Sequence, residues 1–95
     1  MKSRNSAAVR PVAVVTGAGI RLGRAIALAL HREGYAVVVH FNRSRKGALD
    51  VVKSITTDGG VAVHVQSDIR TVAGAKAIVS AAIRSFGRID LLVNN

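Results

Sequence analysis

The chain has 95 residues, enough for one small domain. Its 49% apolar content excludes a disordered protein, but with no tryptophan, one tyrosine and two phenylalanines the core falls to Val, Ala, Ile and Leu. Without cysteine there is neither a disulfide framework nor a Cys-based metal site, and His31, His40 and His64 lack metal-ligand spacing, so no metal is expected.

A net charge of +9 favours anionic partners. The basic residues are scattered and aromatic stacking platforms are nearly absent, which points away from nucleic acid. Residues 1–11, "MKSRNSAAVRP", read as a flexible basic leader with no apolar segment of the secretory kind. The longest apolar runs, "AIALAL" and "YAVVV", are too short to cross a bilayer, so the default location is cytoplasmic.

After Pro11, "VAVVT" reads as a short buried strand that ends in a glycine turn. Leu22 to Glu33 follows as a helix stopped at Gly34. "YAVVVHF" is apolar almost throughout, the mark of a parallel strand covered on both faces. Ser44 is placed to cap a second helix over Arg45 to Thr57, with Ala48, Leu49, Val52 and Ile55 as its buried face and "DGG" as its end. "VAVHVQ" is a third strand. Thr71 caps a third helix with an apolar stripe of Val72, Ala75, Ile78, Val79, Ala82 and Phe86, and Gly87 takes the left-handed position after it. "IDLLVNN" enters a fourth strand. The order βαβαβαβ demands parallel pairing, and thus an α/β fold with a three-layer, Rossmann-type sheet over residues 12–95. It amounts to one mononucleotide-binding half plus the first strand of the next, an incomplete fold that is expected to be part of a longer protein.

The turn "TGAGIRLG" carries the chemistry. Gly17 lets the chain turn sharply and a pyrophosphate approach the backbone, and Gly23 lets the first helical turn pack on the strands. The N–H groups at the helix start complement phosphate oxygens. Arg21 occupies a place where such turns often carry glycine, and its cation reaches towards the pyrophosphate or a ribose phosphate. At the end of the second strand, "HFNRSR" contains no acid to grip a free ribose 2′-OH; Arg43, with the hydroxyl of Ser44, suits the extra phosphate of NADP. Asp68, after the third strand, accepts from an adenine amino group with Ile69 against the base, or else serves as a turn or capping residue. Asn94 and Asn95 leave the fourth strand able to satisfy backbone groups or approach a ribose.

These residues are similar to those of the short-chain dehydrogenase/reductase family, from the "TGAGIRLG" turn through "SDI" to "LLVNN". Within it, "RLGRAIA", "EGY" and the "RS" pair resemble the pteridine reductases, which reduce pterins and folates with NADPH and carry arginine in place of the middle glycine. Asn42 departs from the histidine often found in that branch. The resemblance implies that Gly17, Arg21, Leu22 and Gly23 lie against the cofactor phosphates and ribose, His40 and Phe41 near the adenosine, Arg43 and Ser44 on the 2′-phosphate, Asp68 and Ile69 on adenine, and Asn95 on the nicotinamide-side ribose. Asn94 would pin the central strands. The family's Tyr-x-x-x-Lys is not among these residues, since Tyr35 has no lysine four places on, so no catalytic residue is assigned and the 95 residues alone are expected to be inactive. The resemblance further implies a homotetramer acting on a pterin or another carbonyl or imine compound. A carbonyl or 3-oxoacyl-carrier-protein reductase and a non-catalytic cofactor-binding protein are the alternatives.

Overall fold

Four strands and three helices alternate along the chain in a computed structural model that describes residues 9–95. Most of the basic leader lies outside the described residues. The elements are β1 (Val12–Val15), α1 (Arg21–Arg32), β2 (Ala36–Phe41), α2 (Arg45–Thr57), β3 (Ala62–Gln66), α3 (Val72–Phe86) and β4 (Leu91–Val93). The strands form one parallel sheet in the order β3-β2-β1-β4.

Alternation along the strands feeds two cores. Val15, Val37, Val39 and Phe41 pack with Ala27 of α1 and Ala48, Val51 and Ile55 of α2. Val12, Val14, Ala36 and Val38 pack with Ile78 and Ala82 of α3. Since successive side chains point to opposite faces, β1 and β2 are buried on both sides. The outer strand β3 is only partly covered.

Two helical faces differ from the periodic pattern. In α2, Val51 is buried and Leu49 exposed, because Ala48, Val51 and Ile55 follow the three- and four-residue spacing of one face. In α3 the buried residues are Gly74, Ile78, Ala81 and Ala82, while Val72 is 74% and Val79 50% exposed and Ala75 is exposed as well. That helix is turned so that Gly74 lies directly on the Asp68 carbonyl, an approach any side chain would block.

Parallel strands bring all three helix N-termini to the same edge of the sheet. Thr71 accepts from the Gly74 N–H at 2.9 Å and caps α3 as expected. Ser44 stands at the N-cap position of α2 but its side chain makes no capping hydrogen bond, and neither does that of Ile20 before α1. The capping role expected of Ser44 is thus absent, and its hydroxyl is left to the cleft beside it.

Candidate functional site

The glycine turn leaves β1 through Thr16, whose buried hydroxyl ties β1 to the end of the neighbouring β4. It donates towards the Asn94 Oδ1 at 3.2 Å and accepts from the Asn95 N–H at 2.9 Å. Gly17 then turns with φ +58°. Its carbonyl accepts from the Asn95 Nδ2 at 3.2 Å, and the Cα of Gly23 lies so close to that carbonyl that a Cβ would overlap it. A glycine at 23 is therefore needed to seat the start of α1 on the turn. Arg21 has φ +53°, the one non-glycine residue in the left-handed region among those described. It is nonetheless the first residue of α1, which thus begins one residue before the Leu22 start that the sequence pattern predicts.

His40 holds the turn from behind. Its Nδ1 accepts from the Gly17 N–H at 3.1 Å, so its Nε2 carries the proton and donates to the Ser67 carbonyl at 2.9 Å. The His40 carbonyl accepts from the Ala18 N–H at 2.9 Å. With 3% exposure and both ring nitrogens engaged, His40 supports the turn from beneath instead of presenting a group to the cleft near an adenosine. A histidine at the end of a buried strand was the available signal; its partner 23 residues earlier was not.

An open cleft of about 530 Å³ lies over this framework. One wall comes from Gly17, Gly19, Ile20, Arg21 and Leu22, and the other from Phe41, Asn42, Arg43 and Ser44, with Asn95 between them. Both α1 and α2 start at this cleft, neither carries an acid in its first turn, and neither is capped by a side chain. Apart from the Arg45 N–H, which donates to the Arg43 carbonyl at 2.9 Å, their first-turn N–H groups and positive dipole ends are open to an anion. Among the described residues, Arg21 and Arg43 form no salt bridge.

Asp68 and Ile69 sit elsewhere. The Asp68 carboxylate is taken up by Arg70, accepting from its backbone N–H at 3.0 Å and from its Nε and Nη2 at 3.0 and 2.9 Å. The Arg70 side chain, and next its backbone N–H, hold the Asp68 carboxyl down at about 2. Of the two roles open to Asp68, the turn role is the one its hydrogen bonds display. Ile69 lines a separate apolar depression with Ile78, Ile89 and Leu92. Asn95 lines the cleft, and its side chain also holds the turn through the Gly17 carbonyl, so it combines the two roles that the sequence left open to it. Ile20 and Asn42 are cleft residues that the motif did not single out.

A glycine turn joining a parallel strand to a helix, with two helix N-termini on one cleft, defines a Rossmann-type dinucleotide-binding fold. The chain belongs to the short chain dehydrogenase family, which it matches over residues 11–95. It is 51% identical over 84 residues to an uncharacterized oxidoreductase of Methylorubrum extorquens, an alignment that covers 88% of this chain and 34% of that protein. A hydroxynaphthalene reductase of Aspergillus fumigatus is 39% identical over 88% of this chain and 31% of its own length. Among solved structures, acetoin dehydrogenase from Enterobacter cloacae superposes with a TM-score of 0.85 at 33% identity, over 92% of this chain and 34% of that one. Hydroxysteroid dehydrogenase from Escherichia coli gives 0.84 at 35% identity, over 96% and 40%. The chain spans about a third of the length of the curated relatives it matches. No helix among the described residues is long and apolar enough to cross a membrane.

Proposed function

We propose that these residues form the NADPH-binding part of a short-chain reductase. One observation carries the cofactor choice: two uncapped, acid-free helix N-termini open on one cleft, one beside Arg21 and the other beside Arg43. A dinucleotide with a single pyrophosphate needs only the first. The second is matched by a 2′-phosphate, which Arg43 would bind through its guanidinium and Ser44 through its uncapped hydroxyl. Gly17, Gly23 and the start of α1, with Arg21 and Leu22, would hold the pyrophosphate. Phe41 would lie beside the adenosine, and Asn95, already seated on the turn, beside the nicotinamide-side ribose. Asp68 and Ile69 are kept as the adenine contacts, which requires Asp68 to share its carboxylate with Arg70.

The bound cofactor supplies a hydride from the nicotinamide. The residues of this chain bind and orient it; none is assigned a catalytic role, and turnover is assigned to a longer protein, a homotetramer by resemblance, acting in the cytoplasm. The substrate reading is a pterin or folate, supported by the "RLGRAIA" and "RS" resemblance and by Arg21 at the middle-glycine position. A carbonyl substrate is the second reading, favoured by the relatives named for hydroxynaphthalene and acetoin.

Titration of the full-length protein with NADPH and NADH tests the cofactor, and Arg43→Ala tests the selector. A charge-assisted contact contributes about 1.5–3 kcal/mol, so the variant should lose roughly 10- to 150-fold of NADPH affinity and little for NADH. An unchanged ratio rejects Arg43. NADPH oxidation with biopterin, folate and a quinone or diketone then separates the substrate readings, and turnover with the carbonyl compounds alone discards the pterin.

A further inference from the structure

We infer that Gln66 is a positioning residue for the 2′-phosphate subsite, acting through the Asn42–Arg43 peptide; the inference rests on the NADPH reading above. Gln66 is the last residue of β3 and pairs with Phe41, the last residue of β2. From there its Nε2 reaches past the end of the ladder. It donates to the Asn42 backbone carbonyl at 3.1 Å and to the Asn42 Oδ1 at 3.3 Å. The Asn42 carbonyl and the Arg43 nitrogen belong to one planar peptide, so fixing the first fixes the second.

Arg43 is exposed, and its backbone fixes the point and the Cα–Cβ direction from which its long side chain departs. The corner around it is closed by the Arg45 N–H donating to the Arg43 carbonyl at 2.9 Å. On the opposite side, α2 is wedged against the glycine turn. A Cβ on Gly47 would overlap the Gly19 carbonyl, and one on Gly19 would come within 2.8 Å of the Ser44 carbonyl. The Asn42–Ser44 corner is thus held between β3 and the turn, at a fixed distance from the α1 N-terminus. Gln66 supplies the β3 side of that grip.

Without it, a competitor for Arg43 is at hand. Asp68, two residues beyond Gln66, already has its carboxyl lowered in part by the Arg43 charge, after the larger effects of Arg70. An Arg43 released from its backbone orientation can lean towards that carboxylate and away from an incoming phosphate. The two hydrogen bonds of Gln66 therefore affect the phosphate-bearing nucleotide selectively.

The experiment titrates 2′,5′-ADP and 5′-AMP against full-length wild type, Gln66→Leu, Gln66→Ser, Arg43→Ala and the Gln66→Leu/Arg43→Ala double variant. Leucine keeps the bulk without the donor; serine stays polar but cannot reach Asn42. Both should weaken 2′,5′-ADP by about 2- to 10-fold, the range of a neutral hydrogen bond. The affinity for 5′-AMP and the melting temperature should hold, and Gln66→Leu should add nothing once Arg43 is gone. Equal losses for both nucleotides, or a loss that persists in the Arg43→Ala background, would show a merely structural role and overturn the inference. Unchanged 2′,5′-ADP binding in a protein that still discriminates the nucleotides rejects Gln66 and leaves the NADPH reading standing. A wild type that does not discriminate them removes that reading, and the inference with it.

Discussion

Three helices start at the same edge of the sheet, and only one of them is finished there. Helix α3 has its Thr71 side chain on the Gly74 N–H, and Thr71 also bonds the Asp68 carbonyl. Helices α1 and α2 have no side-chain cap and place arginine in the first turn, Arg21 and Arg24 in α1 and Arg45 in α2, against the positive end of the helix dipole. As helix design this is poor; as the anion site proposed above it is coherent, since a phosphate would stand in for the missing caps, whereas α3, which also lacks a first-turn acid, has its cap in Thr71.

Converting one type of end into the other gives the largest effect. Ser44→Asp places a carboxylate at the positive end of the α2 dipole, worth about 0.3–1 kcal/mol of helix stability. The same carboxylate stands where the 2′-phosphate is proposed to bind. NADPH affinity should fall by at least about 10-fold while the melting temperature rises and NADH binding changes little. Calorimetric titration and thermal melts on one preparation read both, and a variant that binds NADPH normally would remove the phosphate from α2.

The reverse operation at α3 is smaller and purely structural. Thr71→Ala removes the cap and should cost about 1 kcal/mol in denaturant unfolding. Nucleotide affinity should change little, because Thr71 does not border the cleft and touches the proposed adenine contact Asp68 only through its backbone carbonyl. A parallel loss of NADPH binding would show that the α3 end belongs to the site.

Much of this edge was legible in the sequence. The alternation of apolar runs and amphipathic segments specified six of the seven elements to within about one residue at each end, while "IDLLVNN" forms a strand only over Leu91–Val93, two residues shorter at each end. Thr71 and Gly87 could be assigned their positions because caps are local chemistry. What escaped depends on distant segments meeting. Nothing within "HFNRSR" shows that His40 serves Gly17, that Gln66 reaches Asn42, or that Gly47 rests on Gly19. The rotation of α3 escaped for a related reason. Its many small apolar residues offer two plausible faces, and the close approach of Gly74 to Asp68 selects between them. The Ser44 hydroxyl was ambiguous between a cap and a phosphate contact, and the absence of the capping bond favours the latter.

Arg21 sharpens the contrast from the backbone side. A non-glycine residue at φ +53° costs about 1–2 kcal/mol relative to an ordinary conformation. Arg21→Gly relieves that cost and should raise stability by about 1 kcal/mol, whereas Arg21→Ala should not. Both remove the cation, so both should weaken nucleotide binding to a similar degree. Divergent binding in the two variants would mean that the turn geometry, and not the guanidinium, is what the phosphates sense.

The smallest effect is a difference in acid sensitivity between the two kinds of helix end. Asp68, before α3, is held at about 2 by the Arg70 side chain first and its backbone N–H second. Its folded value is thus depressed from an unfolded value near 3.9. A group shifted in this direction favours the folded state above about pH 4, and that contribution fades as pH falls towards 2. Both partners are exposed, so the contribution is small and weakens further in salt. Asp90 is also lowered, by the Arg88 side chain and the Val12 N–H, so bulk acid unfolding would mix the two. A residue-resolved NMR titration separates them. The Arg70 amide proton, which bonds the Asp68 Oδ1, should shift with a midpoint near 2. The first-turn amides of α1 and α2 face no carboxylate in their own turns and should stay flat over the same range. If those amides follow the Arg70 curve, a carboxylate reaches the cleft, and the two uncapped ends are not the acid-free anion sites proposed for them.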